Sequence, residues 1–543
     1  MASEEILHKT LRNADGKPFA KYKGITNNFV MDEFELIVDE VQNDRAGHSR
    51  MRVRVPMRLA GFPEDTYSTK SREIALRDII VRRFWESTRT HARSPIPKTD
   101  GGEVYIPRPG QEILERGSVA VTQHYVEVSF TADLPSSAGK VNALATEELI
   151  FGRIYRIITE SMMYKAYKPS KLYNHIQVSE NADHIRSKLP ELGLSAFVAE
   201  GSILPRRDDD LAPMVDAVPF SCDDSLRISI DVPNGEPVTG MGIPAGFTVI
   251  AGPSRSGKSV FVDAVFSGVH NHIPGDGREY VVSLPETSYV MGEGGRPADS
   301  VDISMFISDS PEFGDTSKVL APSISSPSSE LVAVSEAVEM GCRSIIVDEE
   351  YSNPCVIRRG FLASEERMAS LSEMGRSMSD CGISLLMVSG DQSAASLADH
   401  VYTLDGHRMS EAHVPKTTSE KTYRMPARRY PISKNIMYEK GRKEVSASAQ
   451  GIRTVEIGEY KVNVPVAAFF DNAQTRAVAD AVVVAKDLMD GSKSMLEVCT
   501  EAVEAVMSYD PENGGSMHRA RPRPMDLAAV LNRHPQMLCI QKS

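Results

Sequence analysis

One short segment constrains the fold of this chain more than any other: residues 252–259 read GPSRSGKS. This string satisfies the pattern G-x-x-x-x-G-K-[ST], with an apolar strand-like segment directly before it and a helical apolar pattern directly after it. Glycines in such a loop let successive backbone N–H groups point at phosphate oxygens, and the positive end of the following helix dipole helps to hold them. The segment therefore predicts a phosphate-binding loop between a β-strand and an α-helix.

Each residue of this loop has an expected role. Lys258 is expected to reach the β- and γ-phosphates of a nucleotide, and the Ser259 hydroxyl is expected to ligate Mg²⁺. The predicted ligand is ATP or ADP with Mg²⁺. The predicted nucleotide-binding residues are Gly252, Pro253, Ser254, Arg255, Ser256, Gly257, Lys258, Ser259 and Val260.

A phosphate loop of this kind requires a second, acidic strand end, and residues 344–350 (SIIVDEE) supply it. Asp348 is predicted to hold Mg²⁺ together with Ser259. Glu349 is predicted to be the catalytic carboxylate that polarises the attacking water, with Lys258 as the second catalytic residue. The alternative is an ordinary acidic turn after a strand. We interpret Glu350 either as an ordinary surface acid or as an acid that supports the metal ligands without binding the metal.

Strand and helix patterns alternate around these two motifs, which indicates an α/β core. Before them, residues 33–40, 51–55 and 118–130 are strand-like, and residues 71–85 have helical apolar spacing. We predict an N-terminal α+β domain (1–165), a nucleotide-binding core (166–412), a linker or extension (413–465) and a small C-terminal helical domain (466–543).

Composition excludes several classes of protein. With 543 residues and 41% hydrophobic content, the chain can bury more than one core. No apolar run reaches the ~18–20 residues that a membrane-spanning helix needs. The first residues carry early glutamates and no signal or transit pattern, and the six cysteines lack metal-ligand spacing. We expect a soluble intracellular protein, cytoplasmic by default, without a membrane partner.

Several longer strings carry a family resemblance: VTGMGIPAG (238–246), GVHNHIPGDGREYVV (268–282), VDISMFI (301–307), RVRVPMRLAGFPEDTYSTKSR (52–72) and RPRPMDLAAVLNR (521–533). They are similar to the family of predicted ABC-class ATPases, and the resemblance covers essentially the full length. It implies an ABC-type P-loop ATPase core between an N-terminal α+β domain and a small C-terminal helical domain. It also implies a homodimer, in which a signature loop of one subunit closes on the γ-phosphate held by the other.

The sequence departs from that family pattern in three places. Pro253 and Arg255 replace part of a Gly-rich loop, although Gly-Lys-Ser survives. Residues 325–330 (SSPSSE) are the equivalent of the signature loop, with Ser325, Ser326, Ser328 and Ser329 as its signature-like residues and Ser326 where the family has glycine. Residues 387–391 offer no switch histidine. We therefore expect ATP binding with slow hydrolysis.

A basic segment lies between residues 50 and 98, with twelve Lys or Arg against five Asp or Glu in a chain of net charge −13. Among eukaryotic relatives, the resemblance points to an accessory ATPase of kinetoplastid mitochondrial RNA editing, which makes this segment a candidate RNA surface. Phe84 and Trp85 are candidates for base stacking. The RNA-binding candidates are Arg50, Arg52, Arg54, Arg82, Arg83, Arg89 and Arg93. The alternative is a solvated basic face over a core that contains both aromatic residues.

Two hypotheses follow. The first is an ATP hydrolase of the ABC class whose ATP binding and slow hydrolysis open and close a dimer that carries an RNA-binding N-terminal region. Such a protein would be an accessory member of a multiprotein RNA-processing complex, located in the mitochondrial matrix in the kinetoplastid branch. The second is a nucleotide-binding scaffold for RNA or protein with little or no hydrolysis.

Overall fold

The fold was analysed in a computed structural model, which describes residues 2–44, 47–92, 96, 99–208, 211–358, 368–432, 436, 446–465, 469–512 and 517–542. The chain divides into two compact units. The first unit comprises Met1–Gln177, Asp471–Ala477 and Met507–Arg521, and the second comprises Val178–Phe470, Val478–Val506 and Pro522–Ser543.

A mainly antiparallel sheet organises the first unit. Its strands lie in the spatial order Ala2–Ser3, Asn28–Val30, Glu35–Glu40, Ser49–Pro56, Tyr125–Ala132 and Val104–Tyr105, and Val119–Val121 also pairs with Tyr125–Ala132. Short strands are Glu112–Ile113, Ser136–Ser137 and Lys140–Val141. The expected strand at 118–130 is thus two strands, because the Thr122 hydroxyl accepts hydrogen bonds from the N–H groups of His124 and Tyr125 and closes a turn.

The longest helix of the first unit is Lys70–Thr90, which Thr69 caps by accepting from the Arg72 N–H at 3.3 Å. Its buried face includes Phe84, which packs on Phe130 of the sheet with ring centroids 5.4 Å apart. The other helices are Glu4–Ala14, Met57–Ala60, Ala143–Glu147, the π-helical segment Glu148–Ile154, Tyr155–Ser161, and the 3₁₀ turns Phe19–Ile25, Glu64–Thr66 and Tyr164–Ala166. Helix Pro169–Lys188 contains the sequence boundary between the units.

A seven-stranded sheet forms the centre of the second unit. Its spatial order is Ser221–Cys222, Arg408–Glu411, His400–Asp405, Phe247–Ala251, Ser384–Val388, Ser344–Asp348 and Thr287–Val290. The last five of these strands are parallel, as the alternating strand and helix pattern predicts. Both faces of this sheet are buried, since every residue of strands Ser344–Asp348 and Ser384–Val388 is inaccessible.

Helices and smaller sheets surround this centre. The helices are Lys258–Ser267, Ser326–Glu339, Pro354–Ile357, Leu371–Asp380, Gln392–Leu397 and Pro524–Asn532, with the 3₁₀ turn Asp224–Leu226. A four-stranded antiparallel sheet comprises Arg227–Ile230, Val238–Pro244, Leu194–Ala199 and Val281–Ser283. Other short strands are Asn271–His272, Ala298–Val301, Val319–Ala321, Arg429–Pro431 and Cys539–Gln541.

The C-terminal part contains more β-structure than expected. Residues 413–465, predicted to be a linker or extension, include a three-stranded antiparallel sheet of Ala447–Ala449, Thr454–Ile457 and Tyr460–Asn463. Helices Asn472–Leu488 and Met495–Met507 follow. The α/β fold class with N-terminal α+β and C-terminal helical regions is confirmed, while the three boundaries between the four predicted segments stay predictions. No helix among the described residues is long and apolar enough to span a membrane.

Candidate nucleotide site

The phosphate loop, residues 252–257, connects the central strand Phe247–Ala251 to the helix Lys258–Ser267, here called the P-loop helix. Parallel strands flank that central strand on both sides, so the loop lies at the carboxyl edge of the sheet, where ligands of such folds bind. Pro253, Ser254 and Arg255 are exposed at its tip, Ser256 is buried, and Gly252, Gly257, Lys258, Ser259 and Val260 are half-buried.

Gly257 sits at the N-cap of the P-loop helix with a φ of 97°, a conformation that side chains disfavour. A Cβ atom at this position would lie 2.8 Å from the His407 ring, so the loop also needs glycine for close packing. His407 belongs to the turn between strands His400–Asp405 and Arg408–Glu411. This turn therefore forms one wall of the phosphate loop.

The Lys258 ammonium group lies across the loop. Its Nζ donates hydrogen bonds to the carbonyl oxygens of Gly252 at 3.0 Å and Pro253 at 2.8 Å. The backbone thus positions the positive charge over the N-terminus of the P-loop helix, where phosphate oxygens are received. An incoming phosphate would offer this ammonium stronger, charge-assisted hydrogen bonds than the two carbonyls do.

The acidic strand end contacts the P-loop helix through Glu350. The Ser259 hydroxyl donates to Glu350 Oε2 at 3.0 Å, and the Glu350 N–H donates to Asp348 Oδ1 at 3.0 Å. Asp348 is fully buried, and its Oδ2 makes no hydrogen bond within the described part of the chain. Glu350, interpreted from the sequence as a surface acid or as an acid that supports the metal ligands, is therefore the carboxylate whose hydrogen bond orients the Ser259 hydroxyl.

Negative charge accumulates around Ser259. Burial raises the pKa of Asp348 above its ordinary value, and the charges of Glu350 and Glu349 act in the same direction. Asp263, on the next turn of the P-loop helix, is exposed by surface area, but the protein atoms around its carboxylate partly desolvate it. This desolvation raises its pKa to about 6, with further contributions from Asp348 and Glu350. A cation at Ser259 would relieve this repulsion.

These residues fit Mg²⁺ bound together with phosphate. The described residues contain no group of three or more His, Cys, Asp or Glu arranged to hold a metal by themselves. Mg²⁺ is usually bound by one or two carboxylates plus substrate phosphates rather than by a protein cage. Ser259, Asp348 with its unpartnered Oδ2, and Glu350 would supply the protein ligands.

Glu349 points to a different partner. Its Oε2 accepts a hydrogen bond from the Gly390 N–H at 2.8 Å, and its own N–H donates to the Val388 carbonyl at 3.1 Å. Gly390 lies in the segment 387–391, where the sequence offered Ser389 and Asp391 in place of a switch histidine. Asp391 instead caps the helix Gln392–Leu397 by accepting from the Ala394 N–H. The backbone of Gly390 thus holds the predicted catalytic carboxylate.

The four signature-like serines have two different orientations. Ser325 and Ser328 direct their hydroxyls to the exposed Glu312, at 2.8 and 2.6 Å. Ser329 is buried, accepts from the Glu293 N–H at 2.7 Å and donates to the Ser326 carbonyl. All four lie in the first turn of helix Ser326–Glu339, here called the signature helix, or at its N-cap Ser325.

Ser326, which stands where the family has glycine, turns its hydroxyl inward. Its Oγ accepts a hydrogen bond from the Asn353 side chain at 3.1 Å. A Cβ on Gly292 would lie 2.4 Å from this same hydroxyl oxygen, so the missing side chain at 292 makes room for the one at 326. The Ser326 hydroxyl therefore points away from the side of the helix N-terminus on which Ser325 and Ser328 bind Glu312.

The basic candidates of the first unit separate into buried and exposed groups. Arg52 is 2% exposed and bound to Asp39 at 2.6 Å, and it donates to the carbonyl of Glu512. Its burial removes Arg52 from the RNA candidates, because its guanidinium group is enclosed by carboxylates and by the carbonyl groups of Pro511 and Glu512. Arg54 is half-buried, and its guanidinium group pairs with the buried Glu127.

Arg82 is also structural, since it binds Asp78 at 2.6 Å and the carbonyl oxygens of Gly110 and Glu112. Three candidates keep exposed side chains: Arg50 (56%), Arg83 (43%) and Arg89. Arg93 lies outside the described residues.

The two aromatic candidates also differ. Phe84 is fully buried, so the prediction that it stacks on bases is wrong. Trp85 is half-buried, with Arg89 5.8 Å and Arg108 5.5 Å from its ring centroid. Cation–π contacts of this kind keep guanidinium groups close to an aromatic face. Arg89, Arg108 and Trp85 form a mixed basic and aromatic surface, which the sequence indicated only in part because Arg108 lies beyond the basic segment.

Fold and site together define a P-loop nucleotide-binding protein. Three family models match the chain. The one described as "P-loop domain" of the ABC ATPases matches residues 168–440, just over half of the chain. "ATPase of the ABC class N-terminal" matches residues 4–165, and "MRB1590 C-terminal domain" matches residues 446–539. The chain belongs to the ABC-class ATPases, which confirms the family resemblance of its sequence.

The similarity of this chain to individual proteins is low or covers only part of their length. Uncharacterized protein MJ1628 of Methanocaldococcus jannaschii is 28% identical over 205 residues, which are 36% of this chain and 46% of that relative. The matched region therefore spans less than half the length of this relative. A solved structure of a bacterial Atm1-family ABC exporter with ATP bound is 12% identical and covers 52% of this chain and 50% of its own, with a TM-score of 0.26. So low a score does not establish a shared fold.

Proposed function

We propose that the chain is an ATP hydrolase that works as a homodimer and couples ATP binding and slow hydrolysis to the opening and closing of an RNA-binding N-terminal region. One observation carries the proposal. The phosphate loop with Lys258 and the acid Glu349 lie at the same edge of one parallel sheet, and Glu349 is held by a backbone N–H at 2.8 Å.

The residues of the nucleotide site have separate roles in the proposed hydrolysis of ATP. The N–H groups of the loop and the Lys258 ammonium bind the β- and γ-phosphates and balance their charge. The Ser259 hydroxyl, Asp348 and Glu350 would hold Mg²⁺, which when bound neutralises the phosphate oxygens and orients them. Glu349 accepts a proton from the water that attacks the γ-phosphorus, so that the bond to the β-γ bridging oxygen breaks and ADP and phosphate leave.

Turnover is slow in this proposal because two features that normally assist ATP hydrolysis in ABC-type ATPases are altered in this chain. In the described part of the chain, segment 387–391 provides no histidine side chain toward Glu349, which is held by the Gly390 N–H instead. The Ser325 and Ser328 hydroxyls, which would meet the γ-phosphate of a partner subunit, bind Glu312.

We propose RNA as the ligand of the first unit. The exposed Arg50, Arg83 and Arg89 supply positive charge for phosphate contacts, and Trp85 supplies an aromatic face. Membership of a multiprotein RNA-processing complex, in the mitochondrial matrix in the kinetoplastid branch, belongs to the same proposal. The match to the MRB1590 C-terminal domain supports this branch.

The test compares Glu349→Gln and Lys258→Ala with the wild type. Glu349→Gln should bind ATP with unchanged affinity, retain it after rapid gel filtration and lose hydrolysis, because the amide cannot accept the proton. Lys258→Ala should lose binding. A wild type whose phosphate release does not exceed that of Lys258→Ala, with or without RNA, would rule out the hydrolase and leave the nucleotide-binding scaffold.

A further inference from the structure

A carboxylate of the chain itself lies at the N-terminus of the signature helix. Glu312 Oε1 accepts a hydrogen bond from the Ser325 N–H at 2.5 Å. Its Oε2 accepts from the hydroxyls of Ser325 at 2.8 Å and Ser328 at 2.6 Å. Both carboxylate oxygens are thus bound, by three donors that all belong to the signature-like segment.

This carboxylate replaces the usual cap of the helix. Ser325 is the N-cap residue, but its hydroxyl makes no capping bond to the helix backbone, because it donates to Glu312 instead. The next residue but one is Pro327, which has no N–H to offer. A negative group at this end is stabilised by the helix dipole. The same donors and the same dipole are those that a γ-phosphate held by a second subunit would meet.

The Glu312 contact can break without disturbing a core. Glu312 is exposed and belongs to a turn in which the Gly314 N–H donates to the Ser310 carbonyl at 2.8 Å. The Ser310 hydroxyl accepts from the Glu312 N–H at 3.1 Å. Although burial acts in the opposite direction, the bonds from Ser328 and Ser325 hold the pKa of Glu312 below its usual range. The side chain is therefore an anion at neutral pH.

We propose that Glu312 is an internal substitute for the γ-phosphate of a second copy of this chain, and that it must leave the signature helix before two subunits can close on ATP. The contact restrains closure and sets the ATP concentration at which the dimer occludes its nucleotide. This inference rests on the proposed function, since it requires that the signature helix closes on ATP of a partner.

The test measures occlusion in the Glu349→Gln protein, as ATP retained after rapid gel filtration over a series of ATP concentrations. Adding Glu312→Gln or Glu312→Ala should lower the concentration for half-maximal retention roughly fivefold, the size expected for exposed charge-assisted hydrogen bonds. Equilibrium binding of ATP at low concentration, which reports on the phosphate loop alone, should not change.

The matched control is Asp315→Asn, added to the same protein. It removes one negative charge from the same segment, but the Asp315 carboxylate accepts its hydrogen bonds from the N–H and hydroxyl of Ser317, at 2.9 and 2.6 Å, and not from the signature helix. Half-maximal retention should stay unchanged in this control.

The outcomes distinguish a failure of the proposed Glu312 restraint from a failure of the proposed function. If both Glu312 variants retain ATP at the same concentration as their parent, the restraint by Glu312 is wrong while the proposed function stands. An equal effect of Asp315→Asn would assign the change to net charge and would also overturn the restraint. If no variant retains ATP although all bind it, the proposed function and this inference fail together.

Discussion

The Ser259 hydroxyl donates a hydrogen bond to Glu350 at 3.0 Å, and this bond joins the P-loop helix to the acidic strand end. Asp348, the residue that the sequence pattern favours for this position, lies beneath the pair and is fully buried. Two carboxylates therefore face the hydroxyl that is expected to bind Mg²⁺. The arrangement predicts that Glu350, the third acid of the motif, contributes to Mg²⁺ binding.

Glu350→Gln should weaken the effect of Mg²⁺ on nucleotide binding. Loss of one negative charge next to the cation should raise the Mg²⁺ concentration for half-maximal binding by about tenfold, which corresponds to ~1.4 kcal/mol. The fluorescence of a bound ATP analogue, followed while Mg²⁺ is added, measures this concentration. Paramagnetic resonance of bound Mn²⁺ gives an independent readout. The exposed Glu236→Gln is the control. Equal Mg²⁺ dependence in both variants would show that Glu350 only orients Ser259.

Asp263 should make the protein less stable as pH rises from about 4 to 7. Its pKa is raised to about 6 in the folded state, so the folded chain binds a proton that the unfolded chain has already released. The stabilising contribution is complete below pH 4 and is lost as pH passes through about 6, and its size is reduced by solvent screening because the Asp263 residue is exposed.

Asp263→Asn should therefore raise the melting temperature at pH 7.5 and change it little at pH 4. Thermal unfolding followed by circular dichroism at both pH values measures this, without added nucleotide or Mg²⁺. Asp231→Asn, at an exposed position, serves as the control. If Asp263→Asn lowers the melting temperature at pH 7.5, the attraction of Arg278 for this carboxylate outweighs its desolvation and the two neighbouring acids.

RNA binding should depend on the exposed arginines and not on the structural ones. The triple change Arg50→Glu, Arg83→Glu and Arg89→Glu should weaken binding and reduce its dependence on salt, because fewer counterions are released. Filter binding of a single-stranded RNA between 50 and 200 mM salt would measure both effects, in the range where such contacts are sensitive. Arg12→Glu is a suitable control, since its side chain is 73% exposed in the same unit but outside the basic segment. An equal loss in the control would point to general charge repulsion.

The effects of substitutions at Gly292 and Ser326 on the stability of the protein should depend on each other. Gly292→Ala places a Cβ 2.4 Å from the Ser326 hydroxyl oxygen and from the Asn353 side chain, so it should destabilise the protein by ~1–3 kcal/mol. Ser326→Gly in the same chain should recover part of this loss because it removes one of the two clashes. Chemical denaturation of both single variants and the double variant measures the coupling. Strictly additive effects would contradict the close contact.

The sequence predicted those parts of the site that depend on neighbouring residues. Residues 252–259 form a continuous motif between a strand and a helix, and they lie between Phe247–Ala251 and Lys258–Ser267 in the fold. The inward rotation of Ser326 was not predictable, since it depends on Gly292 and Asn353 at distant positions in the chain. The burial of Arg52 was missed for the same reason: alternation along its strand shows which residues share a face, but not that Asp39 and residues 511–512 cover that face.

The His407 ring that packs on Gly257 has a mechanical consequence. His407 belongs to a hairpin whose second strand, Arg408–Glu411, continues into the chain that leads to the C-terminal region. The carbonyl of His407 also accepts a hydrogen bond from the Ser221 N–H, which anchors the strand Ser221–Cys222 to the same turn. Displacement of this hairpin would therefore change the packing at the N-cap of the P-loop helix, and nucleotide release in this protein is expected to respond to a movement of the hairpin.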